Sequence, residues 1–182
     1  MLSALLATEF VTDPDAASLG VLVLRVCAGL ALAAHGWAKF TKGGKIAGTA
    51  RWFDSMGMRP GTLHARLAAS TEVGAGLLMA VGLLVPLAAL AFVALMFVAG
   101  YTVHRPNGFF SVNDGYELNF IFAVLAVGVA TVGAGRYSLD HQLGLIEDFD
   151  GWVGLLISAV GGVGAALTQL AVFYRPPAPE GA

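Results

Sequence analysis

The fold class that this sequence predicts is all-α, a polytopic membrane helix bundle, and three observations predict it: an apolar excess, long uncharged runs and lopsided charge. The chain of 182 residues is 57% hydrophobic and only 12% charged, with a mean hydropathy of +0.76. That is more apolar surface than one soluble core of this size can hide, so the surplus faces a lipid bilayer. A formal net charge of -2 supplies no basic field of the kind nucleic acid requires, and no nucleic-acid partner is expected. Cys27 is the single cysteine. The chain alone therefore cannot build an intramolecular disulfide, a C-x-x-C redox pair or a cysteine-ligated metal centre, and no metal site is expected.

Five apolar segments are long enough to cross a bilayer, which takes about 20 residues of helix. Leu19 to Trp37 is interrupted only by Arg25, and Ala65 to Val85 only by Glu72. Leu87 to Val103 carries no charge, and Pro86 breaks the long run into a hairpin. Leu118 to Ala134 and Trp152 to Tyr174 complete the set, the last flanked by aromatic residues suited to the interface. Met1 to Phe10 lacks a basic n-region and is followed by acidic residues, so it reads as an interfacial helix, not a cleaved signal peptide. The first loop, Thr41 to His64, reads either as a helix lying on the inner leaflet or as a solvated loop.

Charge placement predicts orientation, because short cytoplasmic loops retain Lys and Arg. Of the ten such residues, Lys39, Lys42, Lys45, Arg51, Arg59, Arg66, Arg105 and Arg175 fall on one side of an alternating topology. Arg136 falls on the other side among acidic residues, and Arg25 lies within a span. The expected arrangement has the N-terminus outside and the C-terminus in the cytoplasm of a bacterial-type inner membrane.

A charge at the centre of a span costs about 2.5–3.5 kcal/mol on insertion scales. Each Leu or Val returns about 0.3–0.6 kcal/mol, so the neighbours of Arg25 and Glu72 can carry insertion. Such residues face a bundle interior and have partners. In the expected topology His35, Glu72, His104 and Glu117 fall at one level in the inner half, and Arg25 falls in the outer half. Side chains lean toward the N-terminus of their helix, which separates Arg25 from Glu72 on antiparallel helices. Glu72 is therefore expected to pair with His35 or His104, and Arg25 with an acceptor or an anionic ligand group. The alternative is that Arg25 snorkels, His104 caps a helix and Glu117 is solvated. Gly74, Gly76, Gly128, Gly161, Gly162 and Gly164 are expected to be close-packing positions. A haem held by His35 and His104 is not expected, since no other ligand set appears.

Four patterns occur in order: Arg25 with Gly29 and then HGWAKF from His35; Glu72-Val-Gly-Ala-Gly76; His104 with Gly108-Phe-Phe110; and Gly115-Tyr-Glu-Leu118 followed by GAGRYSLD from Gly133 to Asp140. Together they resemble the DoxX family over Leu19 to Asp140. The resemblance implies a four-helix membrane bundle related to the DoxD-like subunits of thiosulfate:quinone oxidoreductase. Carried over, the family motif positions are Arg25, His35, Gly36, Lys39, Glu72, His104, Glu117, Arg136, Tyr137 and Asp140. Residues 1–18 are then an extracytoplasmic segment, 19–140 the DoxX-like domain, and 141–182 an acidic loop, a fifth transmembrane helix and a short tail.

Three function classes follow. In the first, the chain is a redox-associated subunit in which His35 and Glu72 bond quinone oxygens and Arg25 or Lys39 stabilises an anionic form. No intrinsic electron carrier is recognisable, so quinone chemistry would depend on a redox-enzyme partner. In the second, the chain anchors or assembles partner proteins, as an oligomer or with other membrane proteins. A small-solute transporter is the third, disfavoured by the lack of an inverted repeat.

Overall fold

The computed structural model describes residues 13–145 and 149–176. The described residues form seven helices: α1 Pro14–Thr41, α2 Lys45–Met56, α3 Gly61–Val81, α4 Val85–Asn107, α5 Glu117–Val132, α6 Leu139–Gln142 and α7 Gly151–Phe173. Helix α4 widens into a π-turn at Gly100–His104 and tightens into a 3-10 turn at Arg105–Asn107, and α7 contains a π-segment at Leu156–Gly161. Helices α1, α4 and α7 are long and apolar enough to cross a membrane, and α5 is a shorter apolar helix. The segment expected as a second span is α3, which does not meet that composition. It carries His64, Arg66 and Glu72, and it lies among the other helices with His64, Ala65, Ala69, Glu72, Ala75 and Met79 buried.

Local chemistry sets each boundary. Asp13 caps α1, its carboxylate accepting from the N–H groups of Asp15 and Ala16 at 2.9 and 3.3 Å, with Pro14 in the first turn. The helix thus begins five residues before the expected span, inside the segment assigned to an N-terminal interfacial region. Most of that region lies outside the described residues. Gly82, at φ 72°, ends α3 by donating to Leu78 and Met79, and Pro86 starts α4. The expected hairpin is therefore present. The first loop holds a helix, α2, closed by Gly57 at φ 97°.

Packing inverts the pattern of a water-soluble protein. The core gathers small or modest residues from four helices, among them Ala28 of α1, Ala75 and Met79 of α3, Ala88, Ala89 and Phe92 of α4, and Ala126 and Ala130 of α5. Large side chains such as Leu30, Leu77, Leu87, Phe120 and Leu167 point outward. Small residues inside and large apolar residues outside suit helices that associate within lipid.

The tightest approach joins α1 to α3. A Cβ built on Gly29 would lie 2.4 Å from the Gly76 carbonyl oxygen, and one on Gly76 would lie 2.5 Å from that of Gly29. Gly161 and Gly162 likewise meet Leu90 and Val93 of α4. The expectation of close packing fails at Gly74, Gly128 and Gly164, where a Cβ would meet nothing within 4 Å. Those three glycines lie on helix faces that no neighbour covers.

Candidate functional site

The polar residues singled out by the sequence separate into two groups at opposite ends of the bundle. At one end Arg25, fully buried, donates to the carbonyls of Met79 and Ala80 at 3.4 Å each and to that of Tyr137 at 2.7 Å. Its Nε is buried without a partner among the described residues. Asp140 lies close by and accepts from the N–H groups of Leu84 and Val85 at 2.7 and 2.9 Å, so a distant carboxylate caps α4. The Asp140 N–H in turn donates to the Gly82 carbonyl at 2.8 Å. Arg136 pairs with Asp15 at 2.6 Å on the exposed rim.

Of the expected partners of Arg25, an acceptor or an anionic ligand group, backbone carbonyls supply the acceptors. The snorkelling alternative fails, because Arg25 has no exposure. Tyr137 contributes its carbonyl, while its side chain is exposed.

The other end holds a cavity of about 630 Å³. That lies within the ~300–1,000 Å³ usual for small-molecule sites, which are apolar with a few placed polar groups. Leu90, Ala94, Leu95 and Val98 of α4 and Leu118 and Phe122 of α5 supply apolar wall, and α2 contributes Trp52, Phe53 and Met56. His35, Lys39, Glu72 and His104 all border it. Arg25 and Glu117 are not among its lining residues. Glu117 stands half-buried at the start of α5 and accepts from the Ser111 N–H at 2.9 Å, holding the preceding loop.

Glu72 pairs with Lys39, not with His35 or His104. Helical geometry explains the difference: Lys39 lies one turn beyond His35 on the same face of α1, and its long flexible stem reaches across the α1–α3 contact. Gly36, between them, permits that contact, since a Cβ there would lie 2.7 Å from the Ala69 carbonyl oxygen. The two histidines are committed to backbone instead. His35 Nδ1 donates to Ala31 O at 2.9 Å, and His104 Nδ1 donates to Asp114 O at 2.6 Å. In a neutral ring each then keeps Nε2 as an acceptor.

Sequence reasoning missed His64 and Gln169, which also line the cavity and are hydrogen-bonded together at 3.2 Å. The available signal was Gln169 itself, a primary amide within an apolar span, which requires a partner. Asn119 is a further missed residue, directed at the Met96 sulfur at 3.7 Å. Among the described residues no group of three or more His, Cys, Asp or Glu is placed to hold a metal ion.

Comparison with known proteins agrees with the family resemblance. Residues 20–105 match the DoxX family model, a segment running from α1 through α4. The match stops short of Gly133–Asp140, so the motif at the closed end lies beyond it. An uncharacterised protein of Haemophilus influenzae is 29% identical over 97 residues, covering 53% of this chain and 64% of that protein. The chain thus spans somewhat less than two thirds of that relative's length. No solved structure matches the chain significantly. The α1–α4 segment that carries His35, Gly36, Lys39, Glu72 and His104 is thus the part of the chain that matches the DoxX family.

Proposed function

We propose that this chain is a bacterial inner-membrane subunit that binds a quinone in the cavity between α1, α3, α4 and α5 and serves a quinone- or sulfur-linked redox complex. The supporting observation is that the cavity is apolar along α4 and α5 yet bordered by the Lys39–Glu72 pair and the rings of His35 and His104. An isoprenoid tail matches the first surface and head-group oxygens match the second. A bound quinone supplies two-electron carrier chemistry, with electrons delivered by a partner protein.

The chain's own residues orient and compensate. Lys39 and Glu72 together carry no net charge, so a proton taken up at Glu72 leaves the Lys39 ammonium free to balance an anionic oxygen in the cavity. His35 Nε2 is an acceptor for a hydroxyl there. Arg25, Tyr137 and Asp140 fasten the opposite end of the bundle and take no part in binding.

In this reading α1, α3, α4, α5 and α7 cross the membrane in turn, a four-helix DoxX-like core plus a fifth C-terminal transmembrane helix. The N-terminus is outside, which puts the cavity in the cytoplasmic half. Eight of the ten Lys and Arg residues fall at the cavity end, in keeping with that orientation.

All three tryptophans are exposed, but only Trp52 borders the cavity, and Trp37 and Trp152 are not among its lining residues. Titrating ubiquinone or menaquinone into nanodiscs bearing a variant with Trp37 and Trp152 replaced by Phe should quench Trp52 saturably. His35→Ala and Glu72→Ala should each weaken that binding roughly tenfold, the loss of one hydrogen bond. Unchanged affinity in both would reject this site and favour the anchoring role.

A further inference from the structure

Helix α4 runs into the π-turn Gly100–His104, and the loop that follows folds back against it before α5 begins. Several hydrogen bonds hold that loop. Glu117 accepts from the Ser111 N–H at 2.9 Å, the Glu117 N–H donates to Phe109 O at 2.8 Å, and the Tyr116 N–H donates to Gly108 O at 3.1 Å. Asp114 keeps a left-handed backbone there, at φ 59°, and its carbonyl accepts from His104 Nδ1 at 2.6 Å and from the Asn107 amide at 3.3 Å. A carbonyl only accepts, so Nδ1 carries the proton and Nε2 of the neutral ring has a bare lone pair. His104 borders the cavity, and its Nε2 is neither sealed from solvent nor hydrogen-bonded among the described residues. Two other residues of this wall are in the same condition. Thr102 gives its hydroxyl proton to Val98 O at 2.8 Å, and Asn119, beside Gly100, turns its amide nitrogen to Met96 Sδ at 3.7 Å. Each keeps an oxygen that accepts.

We infer that His104 is a specificity-determining residue that takes a ligand hydroxyl on Nε2, so that the cavity holds a quinol in preference to the quinone. The inference rests on the quinone reading above and sharpens it by naming the reduced ring. A quinone carbonyl only accepts and meets a lone pair at Nε2, whereas a quinol hydroxyl donates to it. The charged end of the cavity does not discriminate in this way, because the Lys39 ammonium donates as readily to a hydroxyl oxygen as to a carbonyl. Choice between the two forms therefore falls to the end of α4, where the Asp114 carbonyl fixes the tautomer.

The test uses the full chain in nanodiscs under nitrogen, with ¹⁵N-labelled histidine, a short-tailed ubiquinone and its quinol. The wild type should bind the quinol roughly tenfold more tightly, the effect of one hydrogen bond, which sets the midpoint potential of the bound couple about 30 mV above that of the free couple. The histidine signal missing from His104→Asn identifies the ring, whose shifts should show Nδ1–H and an Nε2 that moves on adding quinol. His104→Asn keeps an amide N–H for Asp114 O and removes the distal acceptor. It should retain the wild-type affinity for quinone and lose the preference for quinol, with thermal unfolding as the check on its fold; the wild-type midpoint tests the inference without any variant. If the wild type binds neither form, the quinone reading falls and this inference falls with it. If the wild type binds quinone as tightly as quinol, if His104 carries its proton on Nε2, or if His104→Asn keeps the preference, this inference alone is overturned.

Discussion

Arg25 donates from Nη2 to the Tyr137 carbonyl at 2.7 Å, joining the first long helix to the loop that follows α5. The same guanidinium reaches the α3 terminus through the Met79 and Ala80 carbonyls. Gly82 makes room for it: at φ 72° a side chain is strained, and a Cβ would lie 1.9 Å from Arg25 Nη1. Gly82→Ala should therefore destabilise the protein by more than the ~1 kcal/mol typical of an alanine at positive φ. Arg25→Leu should lower the unfolding temperature in detergent by leaving three carbonyls without this donor. Both are read by scanning fluorimetry.

Asp140 caps a helix that begins 55 residues earlier in the chain. Asp140→Asn keeps one acceptor oxygen and should cost about 0.5–1 kcal/mol, while Asp140→Leu should cost about 1–2 kcal/mol, the range for losing an N-cap. Urea unfolding in mild detergent separates the two.

The glycines divide by position. Gly29→Ala and Gly76→Ala would press Cβ atoms into facing backbone and should part α1 from α3, with a loss of a few kcal/mol for overpacking. Gly128→Ala meets open space and gains helix propensity, so its stability should hold or rise by up to ~1 kcal/mol. Equal losses at all three positions would contradict the contact geometry described above.

Much of this was legible in the sequence, and the failures have physical causes. Helix positions followed from apolar runs and breakers, because in lipid every backbone group must be satisfied within the helix. The inward turn of Arg25 and Glu72 followed from the cost of exposing charge to hydrocarbon. Partner choice did not follow: depth alone placed Glu72 level with His35, and only the actual α1–α3 rotation, set by Gly29, Gly36 and Gly76, brings Lys39 to it. Glu117 was placed at the level of the cavity but does not line it, its carboxylate instead holding the cavity-lining Ser111. His64 was passed over because it stands at the end of a loop by sequence and becomes buried only when α7 folds across it.

The Lys39–Glu72 pair is partly shielded, so removing one member should cost more than removing both. Glu72→Leu and Lys39→Met alone should each destabilise, by less than the ~3–5 kcal/mol of a fully buried pair, since some exposure remains. The double variant should recover most of that loss in thermal unfolding while still failing to bind quinone. A double variant that binds as the wild type does would remove the pair from the site.

In the proposed function the cavity at the basic end, and not the closed end around Arg25, receives the ligand. Photocrosslinking with an azido-quinone in lipid, followed by peptide mass spectrometry, distinguishes the two. Adducts should fall on cavity-lining residues such as Leu95, Val98, Phe122 or Trp52 and be displaced by excess ubiquinone. Adducts confined to outward-facing residues such as Leu30 or Phe120, or clustered near Arg25 and Tyr137, would contradict it.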